Sequence, residues 1–193
     1  MEHSQHKHFK LFKPYGYISQ MMSNDERQAR KKNFLSELFD FPENLMAIGR
    51  LDEKSEGLLL LTTDGKLSDT INRSGIEKEY YAQVDGSITS EAIENMKSGV
   101  EIGINGKKYK TKPCLVEKLE YIPNLPLRKK KLRDSRHGPT SWVSLTLTEG
   151  KFRQVRKMTS AVGYPTLRLV RVRVGNVLLD NLEPGEVIEL DTI

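Results

Sequence analysis

Residues 58–61 are four consecutive leucines, and no apolar run of the chain is longer. A run of this length suits a buried β-strand and is far shorter than the roughly 20 apolar residues that a membrane-spanning helix needs. The turn pair Asp64-Gly65 follows the run, and a second apolar segment, Met46–Ile48, precedes it. Residues 49–57, between the two segments, begin and end with glycine. The sequence therefore predicts two strands joined by a glycine-bounded loop.

The remainder of the chain mixes strand and helix patterns. Residues 142–148 and 167–174 alternate as half-buried strands do. The pair Asn105-Gly106 tolerates the positive φ of a hairpin turn, which predicts a hairpin over 100–109. Helices are predicted after Thr89 or Ser90 and over 151–162. Because no regular βαβ repeat appears, we predict the α+β class.

Composition excludes several classes of protein. The 193 residues are 37% hydrophobic and 30% charged, which is typical of a globular chain and too apolar for a disordered one. A single cysteine, Cys114, excludes an internal disulfide and a multi-cysteine metal site. Residues 1–8 contain no apolar core and do not form a secretory signal. These features favour a cytoplasmic protein.

Basic residues are concentrated in two stretches. The chain has 31 basic and 26 acidic residues, a net charge of +5. Residues 150–179 contain no acidic side chain but seven basic ones, and 128–136 read Arg-Lys-Lys-Lys-Leu-Arg-Asp-Ser-Arg. Each stretch by itself is equally compatible with a solvated surface. Together, on either side of one candidate site, they favour a polyanionic partner.

Asp52 is the candidate for chemistry because it lies in the glycine-bounded loop, two residues after Arg50. Loops held by rigid strands commonly present catalytic side chains. A carboxylate there can serve as a nucleophile, a general base or a metal ligand. Aspartate is also common as a simple turn residue, and spacing alone favours that reading.

Other catalytic arrangements are missing from the sequence. His3, His6 and His8 lie close to the N-terminus without further ligands, so we expect no metal site. There is no dinucleotide-binding glycine motif, phosphate-binding loop, nucleophile elbow or HExxH motif. We therefore expect chemistry from aspartate, tyrosine and arginine without a cofactor.

Three ordered motifs resemble those of the pseudouridine synthases that modify ribosomal RNA. Residues 49–65 match the pattern G-R-L-D-x-x-S-x-G-L-L-L-L-T-N-D-G except at Thr63, where asparagine is usual. Residues 78–80, Lys-Glu-Tyr, resemble the second motif. Residues 149–158 resemble the third, E-G-(K/R)-N-R-Q-V-R-R-M, with Phe152 in place of asparagine. The resemblance extends over about residues 9–190.

Segments outside the motifs narrow the resemblance to one branch. Residues 139–142, 162–169 and 179–182 look most like the E-type synthases of the large ribosomal subunit. Many relatives carry an S4-like RNA-binding domain before the catalytic domain. Here only about eight residues precede the first predicted strand, so we expect no S4 domain, as in the E-type enzymes.

The resemblance implies a fold and a domain organisation. We expect an α+β catalytic domain at 9–193 with a central mixed, largely antiparallel sheet, preceded by a disordered tail at 1–8. Two subdomains, at about 9–75 and 76–193, are expected to flank a basic active-site cleft. The implied reaction breaks the N-glycosidic bond of a uridine, rotates the base and rejoins it through carbon, after the base has left its stack.

The resemblance also implies roles for individual residues. Asp52 is the implied nucleophile, Tyr80 the ring that stacks on the target base, and Arg156 the cation beside Asp52. RNA-binding residues are expected in both basic stretches and both other motifs: Arg50, Lys78, Lys129, Lys130, Lys131, Arg133, Arg136, Lys151, Arg153 and Lys157.

The implied substrate is one uridine in a stem-loop of 23S ribosomal RNA, free or in a pre-ribosomal particle. We expect a monomer with no membrane partner. Two alternatives stay open. One is a synthase of the same fold that acts on 16S ribosomal RNA or tRNA, and the other is a non-catalytic ribosomal RNA-binding assembly factor.

Overall fold

The structure, a computed structural model, describes residues 6–128, 130–132 and 134–193. Its strands are, in chain order, β1 (His8–Lys13), β2 (Met46–Ile48), β3 (Glu56–Thr62), β4 (Lys78–Asp85), β5 (Glu101–Ile104), β6 (Lys107–Lys110), β7 (Leu115–Leu119), β8 (Thr140–Leu147), β9 (Thr166–Val174), β10 (Val177–Leu178) and β11 (Val187–Leu190).

The described residues form four α-helices, and two of them are capped by suitable residues. They are α1 (Glu26–Lys31), α2 (Gly65–Arg73), α3 (Ser90–Ser98) and α4 (Gln154–Ala161), with short 3-10 turns at Leu35–Glu37 and Ser135–His137. Asp64 caps α2 by accepting the N–H groups of Lys66 and Leu67 at 2.9 and 3.1 Å. Gly99 ends α3 with a φ of +93°, a conformation that favours glycine.

The chain divides into two compact units. Unit 1 comprises residues 1–76 and 171–193, and unit 2 comprises residues 77–170. In unit 1, β1 pairs antiparallel with both β3 and β11, and β2 pairs antiparallel with β3. The core of unit 1 packs leucines of β3 against Phe9 and Leu11 of β1 and against Leu35. All seven residues of β3 are buried, as the leucine run predicts.

Unit 2 is built around β8, which pairs antiparallel with β4 on one side and β7 on the other. Strands β5 and β6 form a separate hairpin that turns at Asn105-Gly106, where both residues have positive φ. The apolar faces of α3 and α4 contribute Ile93, Met96, Val155 and Met158 to the core of this unit. The predicted hairpin and the α+β class are therefore confirmed.

The units differ from the expected domain organisation in two respects. The expected second subdomain, 76–193, is divided, because β11 pairs with β1 and residues 171–193 accordingly belong to unit 1. The expected disordered tail, 1–8, is wrong at residues 7 and 8, because His8 opens β1 opposite Thr62 and Lys7 exchanges hydrogen bonds with Thr63. Residues 1–5, with His3, lie outside the described residues.

The part of the chain that the structure describes contains neither a membrane-spanning helix nor a cluster of metal-binding side chains. None of its helices is long and apolar enough to cross a membrane. No group of three or more histidine, cysteine, aspartate or glutamate side chains there is arranged to hold a metal ion.

Candidate active site

The loop between β2 and β3 presents Asp52 in unit 1. Gly49 begins the loop with a φ of +70°, and Gly57, the second residue of β3, has a φ of +101°. Within the loop, the Asp52 Oδ1 atom accepts the Lys54 N–H at 2.9 Å, and the Asp52 carbonyl accepts the Ser55 N–H at 3.0 Å. The carboxylate is half-buried. These contacts orient its side chain before any substrate binds.

Asp52 lines a cavity of about 300 Å³ that lies within unit 1. Its other walls come from residues 18–20, from Lys32 and from the loop itself, including the exposed side chain of Arg50. Lys32 Nζ donates to Glu53 Oε2 at 2.5 Å. Arg50 and Asp52, both predicted site residues, therefore line one small cavity, which has a basic and an acidic side chain in its wall.

Ser19 holds the residue before Asp52 and is a functional candidate that sequence reasoning missed. Its Oγ atom donates to the Leu51 carbonyl at 2.8 Å and accepts the Leu51 N–H at 2.9 Å. Ser19 and Leu51 are both buried. The Gly16 N–H also donates to the Glu53 carbonyl at 2.8 Å, so the 16–19 segment holds the loop on both sides of Asp52.

Lys13, at the end of β1, is a second candidate that sequence reasoning missed. Its side chain is fully buried, and Nζ donates to the carbonyls of Pro14 and Tyr17 at 2.9 and 2.6 Å. Burial lowers the pKa of Lys13 to about 7, although the nearby carboxylates of Asp52, Glu56 and Glu53 oppose that shift. No signal in the sequence distinguishes Lys13 from Lys10 of the same strand.

Arg171, from the basic stretch 150–179, is buried in unit 1. It is 2% exposed, and Nε donates to the Leu58 carbonyl of β3 at 2.8 Å. Its Nη2 atom is buried with no hydrogen-bond partner among the described residues. The basic stretch of 150–179 is therefore not one solvated surface, because Arg168 is also buried and donates to the Pro126 carbonyl at 2.8 Å.

Tyr80 and Lys78 lie on β4 of unit 2. Tyr80 is half-buried opposite Leu145 of β8 and packs against the core of the unit. Lys78, the first residue of the strand, is also half-buried. The tyrosine thus has a fixed backbone and a partly accessible ring.

Arg156 and Lys157 of the third motif lie on α4, and Arg153 is the residue immediately before the helix. The Arg156 Nη1 atom donates to the Thr166 carbonyl at 3.4 Å. Together with Arg153 and Lys157, Arg156 lines an open cavity of about 380 Å³ in unit 2, whose opposite wall is β5. The structure therefore brings three of the predicted basic residues to one groove. Lys151 is exposed at the turn before the helix.

The 128–136 stretch is only partly described, because Lys129 and Arg133 lie outside the described residues. Lys130 and Lys131 are exposed. Arg136 pairs with Asp134, Nε to Oδ2 at 3.0 Å, and Arg128 Nη1 donates to the Leu167 carbonyl at 3.3 Å. Part of the predicted RNA-binding charge in this stretch is therefore already bonded within unit 2.

Comparisons with known proteins agree with these motifs. The pattern of the RNA pseudouridylate synthase family matches residues 8–161. Ribosomal large subunit pseudouridine synthase E of Xanthomonas axonopodis pv. citri is 42% identical over 176 residues, 90% of this chain and 88% of its own length. Ribosomal large subunit pseudouridine synthase B of Bacillus subtilis is 31% identical over 192 residues, 98% of this chain and 70% of its own.

A solved structure agrees as well. A crystal structure of a pseudouridylate synthase superposes with a TM-score of 0.74 at 30% identity, covering 96% of this chain and 70% of that one. The chain therefore belongs to the RNA pseudouridylate synthase family.

Proposed function

We propose that this chain isomerises one uridine of 23S ribosomal RNA to pseudouridine in the cytoplasm, with Asp52 as the nucleophile. The observation that carries the proposal is the setting of Asp52. Its half-buried carboxylate is oriented by the Lys54 N–H. The Ser19 hydroxyl fixes the loop backbone through two hydrogen bonds to Leu51. This loop lies inside the region that matches the family.

A carboxylate suits this isomerisation because it can form a covalent bond to the sugar or the pyrimidine ring and later leave. Breaking the N-glycosidic bond frees the base to rotate. The new bond forms through C5, whose proton is lost while N1 gains one, and the carboxylate leaves unchanged. The target uridine must first leave its stack, which costs a few kcal/mol. A preoriented carboxylate at the cavity edge lowers the entropic cost of the attack. The reaction needs no cofactor.

Tyr80 and Arg156 complete the proposed catalytic set. The Tyr80 ring, fixed on β4, supplies a face on which uracil stacks. Its hydroxyl can accept or donate the proton that moves during isomerisation. Arg156 supplies a cation that stabilises the Asp52 carboxylate and negative charge at the reacting nucleotide.

Basic side chains of unit 2 carry the proposed RNA binding. The third motif contributes exposed Lys151 and the groove residues Arg153 and Lys157, and exposed Lys130 and Lys131 contribute from the 128–136 stretch. Neutralising phosphates releases counterions, so affinity should fall with salt. Arg50, Lys78, Lys129, Arg133 and Arg136 complete the proposed set.

The large-subunit substrate is favoured by two matches. The E-type relative is 42% identical and the B-type relative 31% identical, and both are named for the large ribosomal subunit. A stem-loop recognised by shape and by splayed bases is the usual RNA target. We propose that the protein acts as a monomer. The competing functions are modification of 16S ribosomal RNA or tRNA, and a non-catalytic role in ribosome assembly.

The test is to map pseudouridines in all ribosomal RNA and tRNA of cells that have or lack this gene. The deletion strain is then complemented with wild type, Asp52→Asn or Asp69→Asn. Asp69 is an exposed aspartate of α2 in the same unit, so it controls for the loss of one carboxylate. We expect one 23S pseudouridine to disappear on deletion and to return with wild type and Asp69→Asn only.

Each alternative gives a distinct result. If the deletion removes a pseudouridine from 16S ribosomal RNA or tRNA instead, that RNA is the substrate and the 23S assignment is wrong. No lost pseudouridine, with a defect in ribosome assembly that Asp52→Asn repairs, supports the non-catalytic factor. Full restoration of the modification by Asp52→Asn removes Asp52 as the nucleophile.

A further inference from the structure

Phe152 is a large aromatic side chain that the structure leaves in solvent. Its side chain is 67% exposed, in the turn that leads into α4. The next residue, Arg153, has a φ of +53° and turns the chain sharply at this point. Phe152 is also where the third motif departs from the family pattern. An exposed ring on a fixed turn suits a contact surface.

The β5–β6 hairpin lies beside this turn and is bonded to it. Tyr109 Oη donates to Glu149 Oε1 at 2.7 Å, and the Lys112 N–H donates to Glu149 Oε2 at 2.6 Å. From the other side, Lys157 Nζ donates to the Gly103 carbonyl at 2.7 Å. Three hydrogen bonds thus join residues 101–112 to residues 149–157, which comprise the turn and the first residues of α4, within unit 2.

The surface of these two segments is strongly basic. Residues 101–112 and 149–157 each contain four basic side chains and one acidic one. Both carboxylates are already engaged, since Glu101 pairs with Lys108 at 2.9 Å and Glu149 accepts the two bonds described above. Lys107 and Lys110 are exposed and have no carboxylate partner among the described residues. The net charge facing solvent is therefore positive.

Cations also lie over the aromatic rings. Lys157 Nζ is 5.1 Å from the centre of the Phe152 ring, and Lys151 Nζ is 4.9 Å from that of Tyr109. A nucleobase stacked on Phe152 would have its phosphate within reach of these amines. Aromatic rings interleaved with lysines are typical of surfaces that bind single-stranded nucleic acid.

We propose that the β5–β6 hairpin and residues 149–157, the turn and the first residues of α4, form one RNA-binding surface. Phe152 stacks an unpaired base there, and Lys107 and Lys110, which alternate to opposite faces of the edge strand β6, contact phosphates along it. RNA as the partner rests on the proposed function. The surface adds Phe152, at the position where the third motif departs from the family pattern, and the β5–β6 hairpin, which lies outside the motifs. It provides a means of selecting a stem-loop by an unpaired base next to the target.

The test measures binding of a short fluorescein-labelled oligouridylate to the full chain across a potassium chloride series. We expect Phe152→Ala and Phe152→Asn to weaken binding about tenfold, the scale of one base-stacking contact, and Phe152→Trp to retain it. The double variant Lys107→Ala/Lys110→Ala should lower the slope of log affinity against log salt by about 0.7 for each lost phosphate contact.

A matched double variant controls for the loss of charge. Lys97→Ala/Lys118→Ala removes two lysines of the same unit from α3 and β7, outside the surface. It should change neither affinity nor slope. Thermal unfolding of every variant confirms that the exposed changes leave the fold intact.

Pseudouridine formation is measured separately, with large-subunit RNA transcripts as substrates. If wild type modifies RNA while Phe152→Ala and Lys107→Ala/Lys110→Ala keep wild-type affinity and KM, the surface proposal fails and the proposed function stands. If wild type modifies no RNA but the variants still bind oligouridylate more weakly than the control, the surface stands and the function fails. If Phe152→Ala and Lys107→Ala/Lys110→Ala leave RNA affinity unchanged, the surface does not bind RNA. This holds even if the same variants weaken binding to a partner protein.

Discussion

Ser19 and Leu51 exchange two hydrogen bonds through a single hydroxyl group, which accepts the Leu51 N–H and donates to the Leu51 carbonyl. The two residues are 32 positions apart in the chain. Leu51 immediately precedes Asp52, so this contact fixes the backbone from which the carboxylate projects. Burial of both residues keeps water from substituting for the hydroxyl.

Replacing Ser19 with alanine should therefore affect both stability and catalysis. The change leaves the buried N–H of Leu51 without its partner, a loss worth about 2 kcal/mol in the free energy of unfolding. It also loosens Asp52, so kcat for pseudouridine formation should fall more than RNA affinity does. Urea unfolding and single-turnover kinetics measure the two effects. Ser36→Ala, which removes an exposed serine bonded to the Met21 carbonyl, is the control and should change little.

Lys13 should make stability depend on pH above neutrality. Burial lowers its pKa to about 7 in the folded protein, whereas an unfolded lysine titrates near a pKa of about 10.4. Below pH 7 both states hold the proton, and the full cost of burying the charge is present. Between the two pKa values only the unfolded chain holds it, so rising pH stabilises the fold by up to about 1.4 kcal/mol per pH unit.

The measurement compares urea unfolding of wild type and Lys13→Met from neutral to alkaline pH. The difference in the free energy of unfolding, wild type minus variant, should be flat below pH 7 and rise in favour of wild type above it. Lys66→Met, at an exposed position of α2, controls for the general effect of losing a lysine. A difference that stays constant over the whole range contradicts the role assigned to burial.

Local patterns predicted the elements that local physics determines. The leucine run lies within the fully buried strand β3, the segment Met46–Ile48 is β2, and Asn105-Gly106 turns the β5–β6 hairpin. Each depends on residues adjacent in the chain. The predicted loop is found between β2 and β3, although it ends before Glu56 and Gly57 belongs to β3; Gly49 and Gly57 both adopt the positive φ that their residue type favours.

Contacts between distant segments could not be read from such patterns. The pairing of β11 with β1 brings residues 171–193 into unit 1. The local sequence of a strand does not specify which other strand it pairs with. The Ser19–Leu51 contact and the burial of Lys13 likewise depend on how strands assemble. The motifs point to Asp52, Tyr80 and Arg156 only through resemblance, and their catalytic roles stay predictions.

Two glycines of unit 2 should respond oppositely to alanine. A Cβ at Gly99 would lie 2.3 Å from the Thr111 carbonyl oxygen, and the residue has a φ of +93°. Thr111 cannot move aside readily, because it is buried and exchanges hydrogen bonds with Val100. Gly103, on β5, has no positive φ, and a Cβ added there would meet no heavy atom within 4 Å.

Gly99→Ala should therefore destabilise the protein by about 3 kcal/mol or more, from clash and backbone strain together. Gly103→Ala should be neutral or slightly stabilising, because alanine restricts the unfolded chain. Urea unfolding of the two variants gives the comparison directly. Equal effects would mean that the end of α3 can rearrange around the new methyl group.

Tyr80 allows the ring and the hydroxyl of the proposed catalytic tyrosine to be separated. Tyr80→Phe keeps the aromatic face on β4 and removes the hydroxyl, whereas Tyr80→Leu removes both. If the ring stacks on uracil and the hydroxyl moves a proton, Tyr80→Phe should keep RNA affinity but lower the rate of isomerisation, by about 10²-fold or more. Tyr80→Leu should lower both, because no aromatic face remains for the flipped base.

The neighbouring Tyr81 provides the control for Tyr80. Its side chain points to the opposite face of β4, because successive residues of a strand alternate. Single-turnover assays and anisotropy titrations of Tyr81→Phe should match those of wild type. If Tyr80→Phe isomerises uridine at the wild-type rate, the hydroxyl has no role in the reaction and Tyr80 contributes only its ring. A Tyr80→Leu enzyme of wild-type rate would remove this residue from the catalytic set and leave Asp52 and Arg156 to account for the chemistry.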